Sequence, residues 1–133
     1  MLHYQNTDII ELGGDLNCGI TYENLLTKIA TYIYVMAAYE TQSGNRVIYC
    51  EEIEKQFGLE DGWIDEQIAD DIQGELNKHF QEMIAEIELY FERGGYDEKA
   101  GYYKECDRYF DITLYTNFAV GILEEDPSIE YNL

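Results

Sequence analysis

Six apolar residues, Ile64, Ile68, Ile72, Leu76, Phe80 and Ile84, stand four positions apart, and Met83, Ile87, Tyr90 and Phe91 extend the series toward Gly94-Gly95. Residues four apart share one face of a helix, so the spacing is a helical signal. Strict fours drift, however, by roughly 40° per step on a helix of 3.6 residues per turn. One straight helix cannot hold such a stripe on one side, and Gly74 stands in the middle of it. The expectation is a long acidic helix over about 63–92, bent or broken near Gln73 to Asn77 and continuous beyond.

A second helix is predicted after Thr21, a suitable N-cap, with Glu23 in the first turn where the helix dipole favours an acid. Leu25, Leu26, Ile29, Ile33, Met36 and Ala37 recur at helical spacing, while Tyr32, Tyr34, Val35, Ala38 and Tyr39 fill most of the other face. A helix apolar nearly all round is central in a fold or lies at a subunit interface. The segment Ile29 to Tyr39 is therefore also a candidate surface for homo-oligomerisation. Residues 8–12 suggest a short strand. Val47-Ile48-Tyr49 suggests another, or else the start of a helix that carries Ile53 and Phe57 and closes at Gly58. Residues 94–107 read as a loop. From Phe110 to Ile122 apolar and polar residues alternate, which is the pattern of a half-buried strand, or of a hairpin if Thr116-Asn117 turns. The expected architecture is a single α+β domain over 1–133, with three to four helices on a small antiparallel sheet and a frayed tail at 124–133.

Charge constrains function. The chain has 28 Asp and Glu against 8 Lys and Arg, a formal net charge of −20 on 133 residues. Fourteen of those acids fall within residues 51–92 against only Lys55 and Lys78, a net of −12 for that third of the chain. A disordered acidic tail would be poor in aromatic and β-branched residues. This chain is 46% hydrophobic and carries 13 tyrosines, so the charge belongs to a folded body. Such a body repels nucleic acid and anionic membranes and attracts the proteins that bind them. On the expected helix, Glu66/Asp70, Asp71/Glu75, Glu82/Glu86 and Glu88/Glu92 are like-charge pairs at i,i+4, each costing roughly 0.2–0.5 kcal/mol. Their rise of about 6 Å per four residues approximates the spacing of successive phosphates on one strand. These eight acids are the candidate partner-binding residues. Tyr96, Tyr102, Tyr103 and Tyr109 cluster nearby, and Tyr102 and Tyr103 are the candidate anchors, since tyrosine supplies contact area at low entropic cost.

Catalytic chemistry has little support. No serine sits in a nucleophile elbow, no glycine-rich phosphate loop opens a helix, and Cys-x-x-Cys is absent. Glu75, His79, Glu82 and Glu86 would fall within roughly 60° of one another on an ideal helix. The di-iron signature is Glu-x-x-His repeated on two helices, and the chain has only one other histidine, His3. The reading is a non-enzyme without metal or cofactor. Cys18, Cys50 and Cys106 are odd in number and widely spaced, as reduced thiols are. The first five residues lack the basic and apolar regions of a secretory leader. No apolar run spans a bilayer, and the cytoplasm is the expected location.

In size, acidity, tyrosine content and lack of catalytic motifs, the chain resembles the antirestriction and anti-CRISPR inhibitors of phages and mobile elements. The resemblance is one of composition across the whole chain and brings no motif. It implies a DNA or RNA mimic that blocks the basic groove of a CRISPR nuclease or restriction system, with no direct nucleic-acid contact. Two other readings stand beside it: an oligomeric structural or adaptor protein, and an immunity protein that neutralises a basic nuclease toxin.

Overall fold

In the computed structural model, residues 3–40, 44–92, 95–104 and 107–115 are described. Strands β1 (Ile9–Leu12) and β2 (Cys18–Thr21) form a hairpin in which Ile9 pairs with Thr21 and Leu12 with Cys18. The chain passes directly into helix α1 (Tyr22–Glu40). Thr21 Oγ1 accepts from the Asn24 amide at 3.3 Å, satisfying one of the amides that a helix start leaves without an intrahelical partner. Two more are taken by the N-terminal segment: the Tyr22 amide donates to the Asp8 carbonyl and that of Glu23 to Asn6.

Strand β3 (Asn45–Tyr49) runs without a loop into helix α2 (Cys50–Gln56). The two alternatives left open for Val47-Ile48-Tyr49 thus both occur, in succession. The turn that closes α2 needs glycine at position 58. Gly58 has φ +63°, its carbonyl accepts from the Gly13 amide at 2.8 Å, and a Cβ there would overlap the Gly13 backbone.

Helix α3 spans Glu66–Phe80. Asp65 caps it, accepting from the Ile68 amide at 2.8 Å. Ile68, Ala69, Ile72 and Leu76 are buried, and Gly74 stands on the solvent side with open space where a Cβ would project. The expected helix over 63–92 is therefore wrong on two counts. There is no bend at Gly74, and the helix stops at Phe80. A tight turn follows, with the Met83 amide donating to the Phe80 carbonyl, and then strand β4 (Ile84–Glu92). The physical reason is that Glu86-Ile87-Glu88-Leu89-Tyr90-Phe91 alternates polar and apolar, and so satisfies a strand period as well as a helical one. Tertiary pairing decides between them.

The region expected as a loop contains a further hairpin, β5 (Gly95–Asp97) with β6 (Tyr102–Lys104). Asp97 nucleates its turn by accepting from the amides of Lys99 and Ala100 at 2.9 and 3.2 Å. Strand β7 (Asp107–Leu114) carries the alternation seen from Phe110 onward. The later part of that alternation, the frayed tail at 124–133 and Cys106 lie outside the described residues.

Among the described residues the architecture is thus three helices and seven strands, with a central antiparallel sheet in the order β3-β7-β4. Ile48 pairs with Phe110 and Phe110 with Leu89, while Ile112 pairs with Ile87 and Leu114 with Ile84. These residues face inward. Ile48, Phe110, Ile112 and Leu114 are buried in one core with Leu25, Ile29 and Ile33 of α1, Ile53 of α2 and Ile72 and Leu76 of α3. Most of the apolar surface of α1 is buried within the chain: Ile29, Ala30, Tyr32, Ile33, Val35, Ala37 and Ala38 lie in that core, and Tyr34, Met36 and Tyr39 are half-buried against it. An ion pair is buried with it. Glu54, 1% exposed, takes Arg108 in a two-pronged bond with both distances 3.0 Å. Glu54 also accepts from the amides of Gly62 and Ile64, so one carboxylate ties α2 to the segment before α3 and to β7.

Candidate functional site

The eight acids singled out by spacing do not share one helix. Glu66 and Asp70 are exposed on α3 and Glu82 is exposed in the turn after it. Asp71 and Glu75 turn toward α1 instead. Asp71 accepts from the Tyr22 hydroxyl at 2.6 Å and lies 2.9 Å from His3 Nε2. That contact, together with burial, raises the Tyr22 phenol well above its ordinary pKa, with burial the larger cause. Glu75 lies 2.9 Å from His79 Nε2 and 3.4 Å from Thr27 Oγ1. These two carboxylates are engaged in joining helices and the N-terminal segment. With Glu82 in the turn and Glu86 on a strand, the four-residue set weighed as metal ligands has no common face. Among the described residues no group of three His, Cys, Asp or Glu could hold a metal ion.

Glu86 and Glu88 are brought together on a different surface, the outward face of the β3-β7-β4 sheet. Strand alternation puts Glu86, Glu88 and Tyr90 of β4 there, with Tyr109, Asp111 and Thr113 of β7 and Asn45, Val47 and Tyr49 of β3. Registers stack these residues in levels. Glu88 is directly opposite Asp111, a like-charge cross-strand pair of the kind that weakens a sheet. Glu92 occupies the register position opposite Asp107.

The Glu86 carboxyl is held above its ordinary range, first because the Glu88 carboxylate hydrogen-bonds its protonated form and then because of the charges of Glu88 and Asp111. The Tyr90 hydroxyl donates to Glu88, and its phenol is pushed up to about 12 by that bond and by the Glu88 charge. Asn45 Nδ2 donates to Asp111 at 2.9 Å. Among the described residues, no lysine or arginine pairs with Glu86, Glu88 or Asp111. Arg46 is taken by Glu52 and Arg108 by Glu54.

Between these levels runs a row of three tyrosines across the sheet. Tyr90 stacks on Tyr109 with centroids 4.7 Å apart and planes at 22°, and Tyr109 meets Tyr49 at 5.4 Å and 59°. Tyr49 is 47% and Tyr90 36% exposed. Beyond Tyr49 the row opens into a groove of about 490 Å³ lined by Tyr32, Tyr49, Glu51, Glu52, Lys55 and Gln56. No known family matches the chain, and neither curated proteins nor solved structures gave a match.

The sequence candidates thus divide. Glu86 and Glu88 lie on this face, and Glu92 extends the same strand. Tyr102 is 59% exposed on β6, and Tyr103 holds the register position opposite Tyr96, both on the separate hairpin. Asp111, Tyr49 and Tyr90 were not singled out. The signal that could have found them is the period-two alternation of 86–91, which pairs naturally with that of 109–114. No helix among the described residues is long and apolar enough to cross a membrane.

Proposed function

We propose that this protein is an inhibitor that binds the basic groove of a nucleic-acid enzyme, a CRISPR nuclease or restriction system, in place of DNA or RNA. The observation that carries the reading is the convergence of Glu86, Glu88 and Asp111 on one open sheet face with no cationic residue supplied by the described chain. Their mutual repulsion costs stability that a surface under no other demand would relieve with a lysine. A partner's lysines and arginines relieve it on binding. The strand rise places the backbone positions of Glu86 and Glu88 about 7 Å apart, close to the separation of consecutive phosphates. Glu66 and Asp70 add exposed charge on α3, and the net charge of −20 steers a basic partner toward the molecule.

The test is competition. Purified CRISPR nucleases and restriction enzymes are loaded with a fluorescent duplex, and the protein is added at rising salt. Displacement that weakens steeply from low to moderate salt and is lost in Glu86→Lys/Glu88→Lys is expected. Retention of duplex by every such enzyme at large excess would overturn the proposal. Capture of a basic nuclease toxin under the same conditions would move the reading to an immunity protein.

A further inference from the structure

We infer that the docking surface is the tyrosine row Tyr90-Tyr109-Tyr49 with the groove at its end, and that its occupant is an extended, arginine-rich segment of the partner. The inference rests on the reading of a basic partner and narrows it to one face and one side-chain chemistry.

Three observations converge on it. The first is the row itself. Large rings on an outward sheet face are ordinarily scattered singly, whereas here Tyr90, Tyr109 and Tyr49 meet across three strands at 4.7 and 5.4 Å. The second is what flanks the row. On one side, level with the neighbouring register pair, lie Glu88 and Asp111, with Glu86 a further step along β4. The third is continuity: Tyr49 also lines the groove walled by Tyr32, Glu51 and Lys55, where the other acid, Glu52, is already engaged by Arg46, so the acids that select the occupant are those beside the row and not those of the groove.

Charge complementarity selects the occupant. The carboxylates demand a cation, and the aromatic surface beside them demands one that tolerates losing water on one side. A guanidinium is planar and weakly hydrated, stacks on an aromatic ring and offers paired donors to carboxylates at the same time. An ammonium is a strongly hydrated point charge and gains less from the ring. A bound arginine would also relieve the Glu86/Glu88/Asp111 repulsion directly. The row lies across the strands, so an extended segment along it can place arginines on its exposed ends, Tyr90 and Tyr49, and then enter the groove.

The experiment uses the full chain and fluorescent synthetic peptides of alternating arginine and glycine, with the lysine-glycine counterpart as comparison. Binding is read by anisotropy at moderate salt. The arginine peptide is expected to bind about tenfold more tightly than the lysine peptide. Tyr49→Ser and Tyr90→Ser should each weaken it by about tenfold. Tyr90→Phe, which keeps the ring, should retain binding, as should Tyr102→Ser on the separate hairpin. Thermal melts confirm that each variant is folded. Equal affinity for the two peptides, or serine variants that bind like the wild type, would overturn the inference. So would self-association that consumes the row, shown by sedimentation of the wild type but not of Tyr90→Ser. The same variants in the duplex-competition assay separate this inference from the broader reading. Undiminished displacement by the serine variants sinks the tyrosine row alone. Arginine-peptide binding through the row with no enzyme displaced sinks the nucleic-acid mimic alone.

Discussion

Glu54 is the acid whose role least resembles its composition. By sequence it is one of fourteen acids in the most negative third of the chain. In the fold it is buried and answers to Arg108 and two amides. Removing one partner of such a pair leaves the other charge stranded. Glu54→Ala is expected to cost about 3–5 kcal/mol in denaturant unfolding, far beyond the change from truncating an exposed acid such as Glu66. Glu88 sits at the opposite extreme, exposed on the sheet with Glu86 and Asp111 beside it. The Tyr90 phenol, pushed up to about 12, should appear as a late phase in an alkaline ultraviolet titration. Glu88→Gln should return that phase toward the ordinary range. The sign of the linkage follows. The folded-state values of Glu86 and Tyr90 are both raised, so each contribution is complete below the unfolded value and lost as pH rises through the folded one. Melting temperature should therefore fall as pH rises through the raised Glu86 titration, and Glu88→Gln should flatten that slope.

At the scale of elements, α3 shows how a spacing argument can be right about one half of a segment and wrong about the other. Ile68, Ile72 and Leu76 keep a helical face because Asp65 starts the helix and three turns suffice to bury them. The fours continue to Ile84, yet the helix does not, because β7 offers β4 a long antiparallel register from Ile84 to Glu92. Gly74, taken from the sequence as a breaker, is an ordinary exposed helical position with open space around it. Gly74→Ala should therefore stabilise the protein by about 0.5–1 kcal/mol, measured by urea unfolding, since alanine restricts the unfolded chain and clashes with nothing. A bent helix would have predicted a loss. The strand signal in β7 was visible because alternation there is unbroken. The hairpin at 95–104 was hidden because its strands are only three residues each, too short for a period to register.

On the scale of the whole molecule, a net charge of −20 on 133 residues opposes the compact state. Added sodium chloride shortens the screening length from about 30 Å at 0.01 M to about 10 Å at 0.1 M. Melting temperature should rise over that range, while binding to a basic partner weakens over the same range. A melting temperature indifferent to salt would mean that the acids repel one another less than their number implies. What the residues determined unaided is whatever depends on near neighbours: the capped start of α1, the helical periodicity from Ile68 to Leu76, the alternation of β7 and a strong excess of negative charge on a folded body. These follow from local periodicity, capping and total charge. The strand identity of β4, the Glu54–Arg108 pair and the Tyr90-Tyr109-Tyr49 row arose only from tertiary structure. Each joins positions far apart in sequence through strand register or burial, and no local pattern of side chains encodes which distant residue will stand opposite.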